Sequence, residues 1–237
     1  MRFFSAVASL IYPAICLSCS RSMISEAQQS AICENCIRNL SSKAALTNRG
    51  KIQVFAGSKY SLQMSHIILA AKEDNHATAR TLLAKQLTKS LELFNSRELT
   101  HSLKQSKSLY LIPIPSRRAA DRARGYSHIQ RLIKKFIELN PNLNIEILDC
   151  LHHAKKIKDQ STLNFNEREL NMRGAFLIDE SFDLKIAQLR NSNSWVFIVD
   201  DLVTTGTTVQ AANTALIQRG LRVDGVLASC ATDGFTH

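Results

Sequence analysis

The sequence lacks the two most common nucleotide-binding loops. It contains neither the Gly-Lys-Ser/Thr ending of a triphosphate-binding loop nor the Gly-x-Gly-x-x-Gly of a dinucleotide-binding fold. Aromatic residues make up only 6% of the chain, which leaves few stacking platforms for single-stranded nucleic acid. The seven histidines show no metal-binding spacing. These absences argue against an ATPase-type or NAD-type site and against a histidine metal site.

No apolar run is long enough to cross a membrane. At the N-terminus, Arg2 and the apolar residues after it resemble the start of a signal peptide. This stretch contains Pro13, runs directly into Cys16 and is too short to span a bilayer. We therefore predict a short helix that packs against the rest of the protein, and no transmembrane segment.

Positive charge is in excess. Lysines and arginines number 30 against 20 acidic residues, which gives a formal net charge of +10. Much of the excess falls in residues 117–135 and 155–173. This clustering favours an anion site, because basic surfaces attract nucleic acid, anionic lipid and phosphorylated small molecules. A solvated basic surface is the alternative.

Four of the six cysteines form two closely spaced pairs. Cys16 and Cys19 make one C-x-x-C pair, and Cys33 and Cys36 make the other, a pattern typical of a tetrahedral structural zinc site. A secreted disulfide scaffold would be shorter and richer in cysteine, so we expect a reducing compartment, the cytoplasm. The other two cysteines lie in apolar runs and are predicted to be small core residues.

The apolar pattern divides the chain into a zinc module at residues 1–45 and a larger α/β domain at residues 46–237. Apolar residues recur at helical spacing over residues 66–94, with a polar break at residues 73–76, which predicts two helices or one broken helix. Strand and helix patterns then alternate, as in a parallel sheet with helices on its faces. We predict strands at residues 53–56, 109–112, 145–151, 195–199 and 223–231, and helices at residues 129–139 and 207–219.

The segment over residues 195–208 carries the clearest chemical pattern. An apolar strand ends in Asp200 and Asp201, at the edge where ligands of open α/β sheets bind. Two adjacent carboxylates suit the vicinal hydroxyls of a sugar or a hydrated Mg²⁺. The following turn into a helix offers free amides and hydroxyls to a phosphate, from Thr204, Thr205, Gly206, Thr207 and Thr208. We infer a site for ribose hydroxyls beside a 5-phosphate; an ordinary capped helix with solvated acids is the alternative.

This segment resembles the signature of the type I phosphoribosyltransferases. Over nearly its whole length the chain also resembles the ComF/ComFC/GntX-like proteins of bacterial competence. The motifs that carry this second resemblance stand in the family's order: the double C-x-x-C, residues 112–115 with Arg117 and Arg118, residues 124–126, Gln160, residues 167–168, Asn171 and residues 174–176. The resemblance implies a phosphoribosyltransferase-like core that binds 5-phosphoribosyl pyrophosphate with magnesium, and a role in natural competence and DNA uptake.

The resemblance also implies roles for single residues. Asp200 and Asp201 would bind the ribose hydroxyls, Thr204 to Thr208 would surround the 5-phosphate, and Val199 would belong to the same ligand-binding segment. Arg117 and Arg118 would bind pyrophosphate, which their place at a strand end also favours, because guanidinium groups bind such anions well. A solvated helix start is the alternative for these two arginines. At residues 127–128 the chain has Ser-His where the family usually has Asn-Gln.

Residues 155–171 are rich in cations and show no buried face, as a mobile lid over a charged ligand would. The resemblance places Gln160 and Arg168 among the ligand-binding residues of this lid. A disordered basic surface loop is the alternative.

Two functions remain open from the sequence. An enzyme of this kind would displace pyrophosphate from the anomeric carbon through an oxocarbenium-like state, by positioning and charge neutralisation rather than by a protein nucleophile. The sequence does not identify the acceptor substrate that would displace the pyrophosphate. The alternative is a protein that binds single-stranded DNA in transformation through its zinc module and basic loops, with a vestigial or regulatory phosphoribosyl site and the competence machinery as partner.

Overall fold

The computed structural model describes residues 14–23, 31–40, 43–97, 108–154 and 174–233. Its strands in chain order are β1 (Ala14–Ile15), β2 (Ser22–Met23), β3 (Ala45–Arg49), β4 (Ile52–Lys59), β5 (Leu109–Pro113), β6 (Ile145–Ile147), β7 (Leu151–His153), β8 (Phe176–Ile178), β9 (Trp195–Val203) and β10 (Gly225–Ala231). Its helices are α1 (Glu34–Leu40), α2 (Leu62–Lys72), α3 (Ala77–Arg97), α4 (Arg118–Arg124), α5 (His128–Leu139), α6 (Asp183–Arg190) and α7 (Thr207–Gln218).

A six-stranded, mostly parallel sheet forms the centre of the protein. Its strand order is β3-β4-β10-β9-β5-β6, and every neighbouring pair is parallel except the β3–β4 hairpin. The order places β9 between β10 and β5, so the acid pair of β9 lies at an inner position of the sheet. The predicted α/β class with a parallel central sheet is confirmed.

Side chains alternate between two hydrophobic layers along each central strand. On β9, Trp195 and Phe197 belong to the layer that contains α2, α3 and α5, while Val196 and Ile198 belong to the layer that contains α6, α7 and the β7–β8 hairpin. The ring of Phe94, on α3, makes edge-on contacts with both aromatic rings of β9 at centroid distances of 4.8 Å. Burial on both faces explains why the central strands are continuous apolar runs.

The predicted elements are largely confirmed, with differences at short strands. The helical stripe over residues 66–94 is two helices, α2 and α3, separated near the polar break. The predicted strand at residues 145–151 is instead two short strands, β6 and β7, which belong to different sheets. Short elements such as β3, β8 and α6 carry too little periodicity to be predicted from sequence.

The cysteine-bearing segment packs directly onto the first helices of the α/β domain. Ser18 contacts α2 twice: its Oγ donates to Gln63 O over 3.4 Å, and its carbonyl lies 2.9 Å from Nδ1 of His66. The carbonyl of Leu40 accepts hydrogen bonds from two α3 side chains, including one of 2.8 Å from Lys89 Nζ. The apolar residues of the segment join the α2–α3 layer of the core. The predicted division between residues 45 and 46 falls within β3, which begins at Ala45.

The two isolated cysteines are core residues, as predicted, because Cys150 and Cys230 are both fully buried. Among the described residues, no helix has the length and apolar character needed to cross a membrane. The predicted N-terminal helix lies outside the described residues.

Candidate functional site

Strands β5 and β9 end side by side and form one wall of a pocket. The chain leaving β5 stays beside β9, because Ile114 N donates to Val199 O over 3.0 Å. The pocket has a volume of about 290 Å³, near the lower end of the range for small-molecule sites. Its lining residues are Lys72, Ile114, Pro115, Ser116, Arg117, Ala120, Arg124, His128, Ile129, Asp200 and Asp201.

The two acids of the pocket have opposite electrostatic characters. Burial raises the pKa of Asp200 well above its usual value, and the charge of Asp201 raises it further. Burial by itself would also raise the pKa of Asp201, but its interaction with His128, together with Lys72, outweighs burial and lowers that pKa. The Asp201 N–H donates to Asp200 Oδ1 over 2.9 Å. The two carboxyl groups therefore titrate apart, with Asp201 losing its proton at a lower pH than Asp200.

His128 is the partner that distinguishes the two acids. It is the first residue of α5 and is 2% exposed, and its Nε2 lies 3.2 Å from Asp201 Oδ2. Neither ring nitrogen makes a hydrogen bond of regular geometry with a described residue, so the 3.2 Å contact with Asp201 is a close polar approach of the two side chains. His128 was not predicted as a site residue, because a histidine at a helix start is common and its partner Asp201 is far away in the sequence.

Three cations line the pocket and balance the acids. Lys72, at the end of α2, was not predicted; its backbone carbonyl accepts a 2.7 Å hydrogen bond from Tyr126 Oη. Arg124 is held by Glu73 at 3.1 Å and by Asp121 at 3.0 Å, with only 8% of its side chain exposed. Arg117 is exposed and makes no ion pair with a described residue. Of the three, Arg117 is therefore the cation most available to a ligand.

The two predicted pyrophosphate-binding arginines occupy different positions. Arg117 is the residue before α4 and lines the pocket, whereas Arg118 is the first residue of α4, is exposed and is not among the lining residues. His153 stabilises the loop that precedes these two arginines, since its Nε2 lies 2.9 Å from the carbonyl oxygen of Pro115. Burial lowers the pKa of His153, which favours a neutral ring that donates this hydrogen bond.

The predicted phosphate loop lies next to the pocket, at the start of α7. Gly206 caps α7 in the left-handed region with φ of 80°, a conformation that favours glycine. The hydroxyl oxygens of Thr205 and Thr207 are 3.0 Å apart, and the former residue is exposed. The residues of this loop, Thr204, Thr205, Gly206, Thr207 and Thr208, are not among the lining residues of the pocket. Val199 is buried in the core, 1% exposed, so its side chain faces the helices rather than the pocket.

Beneath this loop lies Arg49, which sequence reasoning missed. It is the last residue of β3 and is 5% exposed. Its guanidinium donates to the carbonyl oxygens of Thr204 at 2.6 Å and Thr232 at 2.7 Å, which joins the ends of β9 and β10. Its position on a short edge strand far from the loop in sequence left no signal that could have identified it.

The predicted lid residues Gln160 and Arg168 lie outside the described residues, as does Asn171.

The four paired cysteines converge on one point. The sulfur atoms of Cys16, Cys19, Cys33 and Cys36 all lie within 4.8 Å of one another, close enough to hold one metal ion. Two backbone amides donate to the sulfur of Cys16, from Ser18 at 3.4 Å and from Cys33 at 3.3 Å. Amide donors of this kind stabilise a metal-bound thiolate, so the donor set fits a tetrahedral zinc site.

The acid–base properties of two cysteines of the cluster differ. Burial by itself would raise the pKa of Cys16, but the amide donors outweigh it and lower that pKa to about 6. Burial raises the pKa of Cys36 to about 12 in the absence of metal. A bound divalent cation is what would keep all four sulfur atoms deprotonated together.

Comparison with known proteins supplies no relative. No protein-family model matches the chain, and a search of curated proteins finds no match to its sequence. The chemistry of the pocket and of the cysteine cluster therefore carries the functional assignment.

Proposed function

We propose that this protein is a phosphoribosyltransferase-like enzyme that binds 5-phosphoribosyl pyrophosphate with Mg²⁺. The observation that carries the proposal is that Asp200 and Asp201 line one pocket with the exposed Arg117, which forms no ion pair with a described residue. The two acids lie on β9, the strand that leads into the Gly206 loop. Carboxylates accept hydrogen bonds from vicinal hydroxyls, and a guanidinium binds a pyrophosphate with two parallel donors. Open α/β sheets bind their ligands at this edge.

Each group has a part in displacing pyrophosphate from the ribose. The ionised Asp201 binds ribose hydroxyls and stabilises positive charge that develops on the sugar ring, while His128 fixes the orientation of its carboxylate. Arg117 stabilises the charge of the departing pyrophosphate. Asp200 and Asp201 would hold a magnesium ion, which would supply further charge neutralisation. The amides and hydroxyls at residues 204–208 hold the 5-phosphate and so fix the anomeric carbon against the acceptor.

Isothermal titration calorimetry with 5-phosphoribosyl pyrophosphate tests the proposal. We expect saturable binding in the presence of Mg²⁺ that weakens when EDTA replaces the metal. Ribose 5-phosphate and inorganic pyrophosphate should each bind more weakly than the whole molecule, because each makes only part of its contacts. Absence of binding at millimolar ligand with Mg²⁺ would refute the proposal.

A second candidate function, the handling of single-stranded DNA, is favoured by one further pocket. It has a volume of about 600 Å³, lies between the cysteine segment and the start of α2, and is lined by Arg38, Lys43, Lys59 and the half-exposed Tyr60. Its described lining residues include no acid. Cations with an aromatic ring suit a single-stranded phosphate backbone and a stacked base. Binding of an oligonucleotide should then fall steeply with salt, and salt-insensitive or absent binding would remove this candidate.

The proposed setting is the cytoplasm of a naturally competent cell, where zinc thiolates persist and incoming single strands are processed. A deletion strain should lose transformation while it still takes DNA to the cell surface, and complementation with the intact gene should restore transformation. Unchanged transformation in the deletion strain would remove the competence role and leave the ligand proposal unaffected.

A further inference from the structure

Arg49 presents a buried positive charge that no carboxylate of the described residues contacts directly. All of its hydrogen-bond acceptors are uncharged: the carbonyl oxygens of Thr204, Thr232 and Asn48 and the hydroxyls of Thr47 and Thr232. No carboxylate of the described residues forms an ion pair with it, and burial lowers its pKa despite the opposing charge of Asp233. An arginine stays protonated in proteins, so this charge persists at the underside of the loop.

A buried charge without a counter-ion is unfavourable, and proteins that keep one generally use it. Simple attachment of two loops could be achieved by a neutral donor at a lower desolvation cost. The guanidinium instead lies directly below residues 204–206, where the sequence predicts that a phosphate binds. An anion on the opposite side of the loop would compensate the charge.

The hydrogen bonds of Arg49 also affect which backbone groups the loop can offer to an anion. A carbonyl oxygen that faces an anion repels it, whereas an N–H attracts it. Because Arg49 binds the carbonyl oxygens of Thr204 and Thr232, those two oxygens are directed to its guanidinium and are kept from an anion above the loop.

Gly206 allows the aliphatic part of Arg49 to pass close beneath the loop. A Cβ atom at Gly206 would lie 2.5 Å from Arg49 Cβ and 2.7 Å from Arg49 Cδ, closer than real side chains approach. The arginine and the glycine therefore form one unit, in which the absence of a side chain at residue 206 makes room for the cation.

We propose that Arg49 is a positioning residue for phosphate binding, which sets the conformation of the loop at residues 204–208 and supplies the charge that compensates a bound phosphate without touching it. This inference rests on the proposed ligand site at the loop. It assigns a function to a strand that otherwise serves only as the antiparallel edge of the sheet.

The test measures phosphate binding at the loop amides by ¹H–¹⁵N NMR, with inorganic phosphate and ribose 5-phosphate as probes. In the parent protein, the amide signals of residues 205–208 should shift in a saturable way with both probes. Arg49→Met should weaken both affinities on the order of tenfold, as expected for loss of one charge-assisted interaction. Arg49→Lys keeps the charge but not the forked geometry, so it should recover part of the loss.

Arg190→Met is the matched control, because Arg190 also donates to a backbone carbonyl, that of Arg219, at the opposite end of α7. It should leave phosphate affinity unchanged, although it can lower thermal stability. A purely structural role for Arg49 would lower stability in the same way and leave affinity at the parent level. If Arg49→Met does not fold, Arg49→Gln decides the matter, because it keeps an N–H donor for the carbonyl oxygens and removes the charge, and parent affinity in that variant overturns the proposal.

The test of Arg49 can fail independently of the test of the proposed function. If the loop amides of the parent respond to neither phosphate probe, the inference about Arg49 is overturned. If they respond, and Arg49→Met weakens the response, but 5-phosphoribosyl pyrophosphate does not bind, then the loop is an anion site that depends on Arg49 and the phosphoribosyltransferase proposal fails alone.

Discussion

The imidazole Nε2 of His128 lies 3.2 Å from Oδ2 of Asp201, and no basic side chain of the described residues makes such a contact with Asp200. Two carboxylates on consecutive residues of one strand therefore have different environments. One has its charge stabilised, and the other is buried beside that charge. Carboxyl groups that share a site in this way titrate apart, which assigns different roles to residues that look equivalent in the sequence.

Replacing each acid by asparagine should change stability in opposite directions. Burial raises the pKa of Asp200 in the folded protein above its pKa in the unfolded chain, which is about 4. Ionisation of Asp200 therefore destabilises the free protein as the pH rises from about 4 through the pKa of the folded state. Asp200→Asn should therefore raise the melting temperature at neutral pH, by about 2–4 °C for each kcal/mol gained in the free energy of unfolding. The gain should shrink as pH falls toward 4. Calorimetric melting at several pH values measures this.

Asp201→Asn should lower the melting temperature at neutral pH. The interaction with His128 lowers the pKa of Asp201 against the effect of burial, so the carboxylate contributes stability above its unfolded pKa and loses it as pH falls through the lower folded value. The difference from the parent should accordingly disappear in acid. Both asparagine variants should lose the melting shift caused by 5-phosphoribosyl pyrophosphate with Mg²⁺. Equal stability changes in the two variants would contradict the asymmetry.

Arg117→Ala should weaken pyrophosphate binding more than Arg118→Ala does. The two arginines are adjacent and both exposed, but only Arg117 lines the pocket. We expect a loss on the order of tenfold in pyrophosphate affinity for Arg117→Ala and little change for Arg118→Ala, by calorimetric titration. The second variant is the control for lost surface charge. Similar losses in both would mean that general electrostatic attraction, rather than a contact in the pocket, accounts for binding.

The parts of the fold that were predictable are those with local, repeated patterns. The apolar run of β9 and the helical stripe interrupted near Glu73 indicate their elements because burial on one or both faces imposes a period on the sequence. The paired cysteines and the apolar run that leads into Asp200 were also readable, since each motif lies within a few residues. The predicted strand end at residue 199 was wrong, because β9 continues through Asp200 and Asp201 to Val203 and stays paired with β10. The predicted convergence of the two C-x-x-C pairs is confirmed by the sulfur positions.

The unpredicted parts depend on contacts between distant segments. Lys72 and His128 reach the acid pair only because α2 and α5 pack on the same face of the sheet, and Arg49 reaches the Gly206 loop only because β3 folds back on β4. No local periodicity records such contacts. A strand as short as β3 also buries too little apolar surface to leave a pattern.

Removal of zinc should loosen the cysteine segment and the start of α2 together. The segment has little core of its own and shares contacts with α2 through Ser18, so loss of the metal should expose both. Metal analysis of protein purified under reducing conditions should give one zinc per chain. Hydrogen exchange after chelation should then accelerate at residues 16–40 and in the first turns of α2, with the central strands unchanged.

Cys16→Ser should lose the zinc, whereas Cys150→Ala should keep it, because Cys150 is buried in the core far from the cluster in sequence and belongs to the opposite layer. Absence of zinc in the parent protein would contradict the assignment of a metal site. Zinc retained by Cys16→Ser at the parent level would show that the metal is bound elsewhere.

Gly206→Ala should destabilise the protein more than Gly125→Ala, although both glycines have nearly the same backbone conformation. Their φ angles are 80° and 76°, so alanine carries similar left-handed strain at either position, about 1–2 kcal/mol. A Cβ at Gly125 meets no atom within 4 Å, whereas a Cβ at Gly206 collides with Arg49. Urea unfolding measures how much more free energy of unfolding Gly206→Ala loses than Gly125→Ala, and this difference is the cost of displacing Arg49. Gly206→Ala should also weaken phosphate binding at the loop, while Gly125→Ala should not. Equal effects of the two substitutions on stability and on binding would show that the close approach of Arg49 to Gly206 has no consequence.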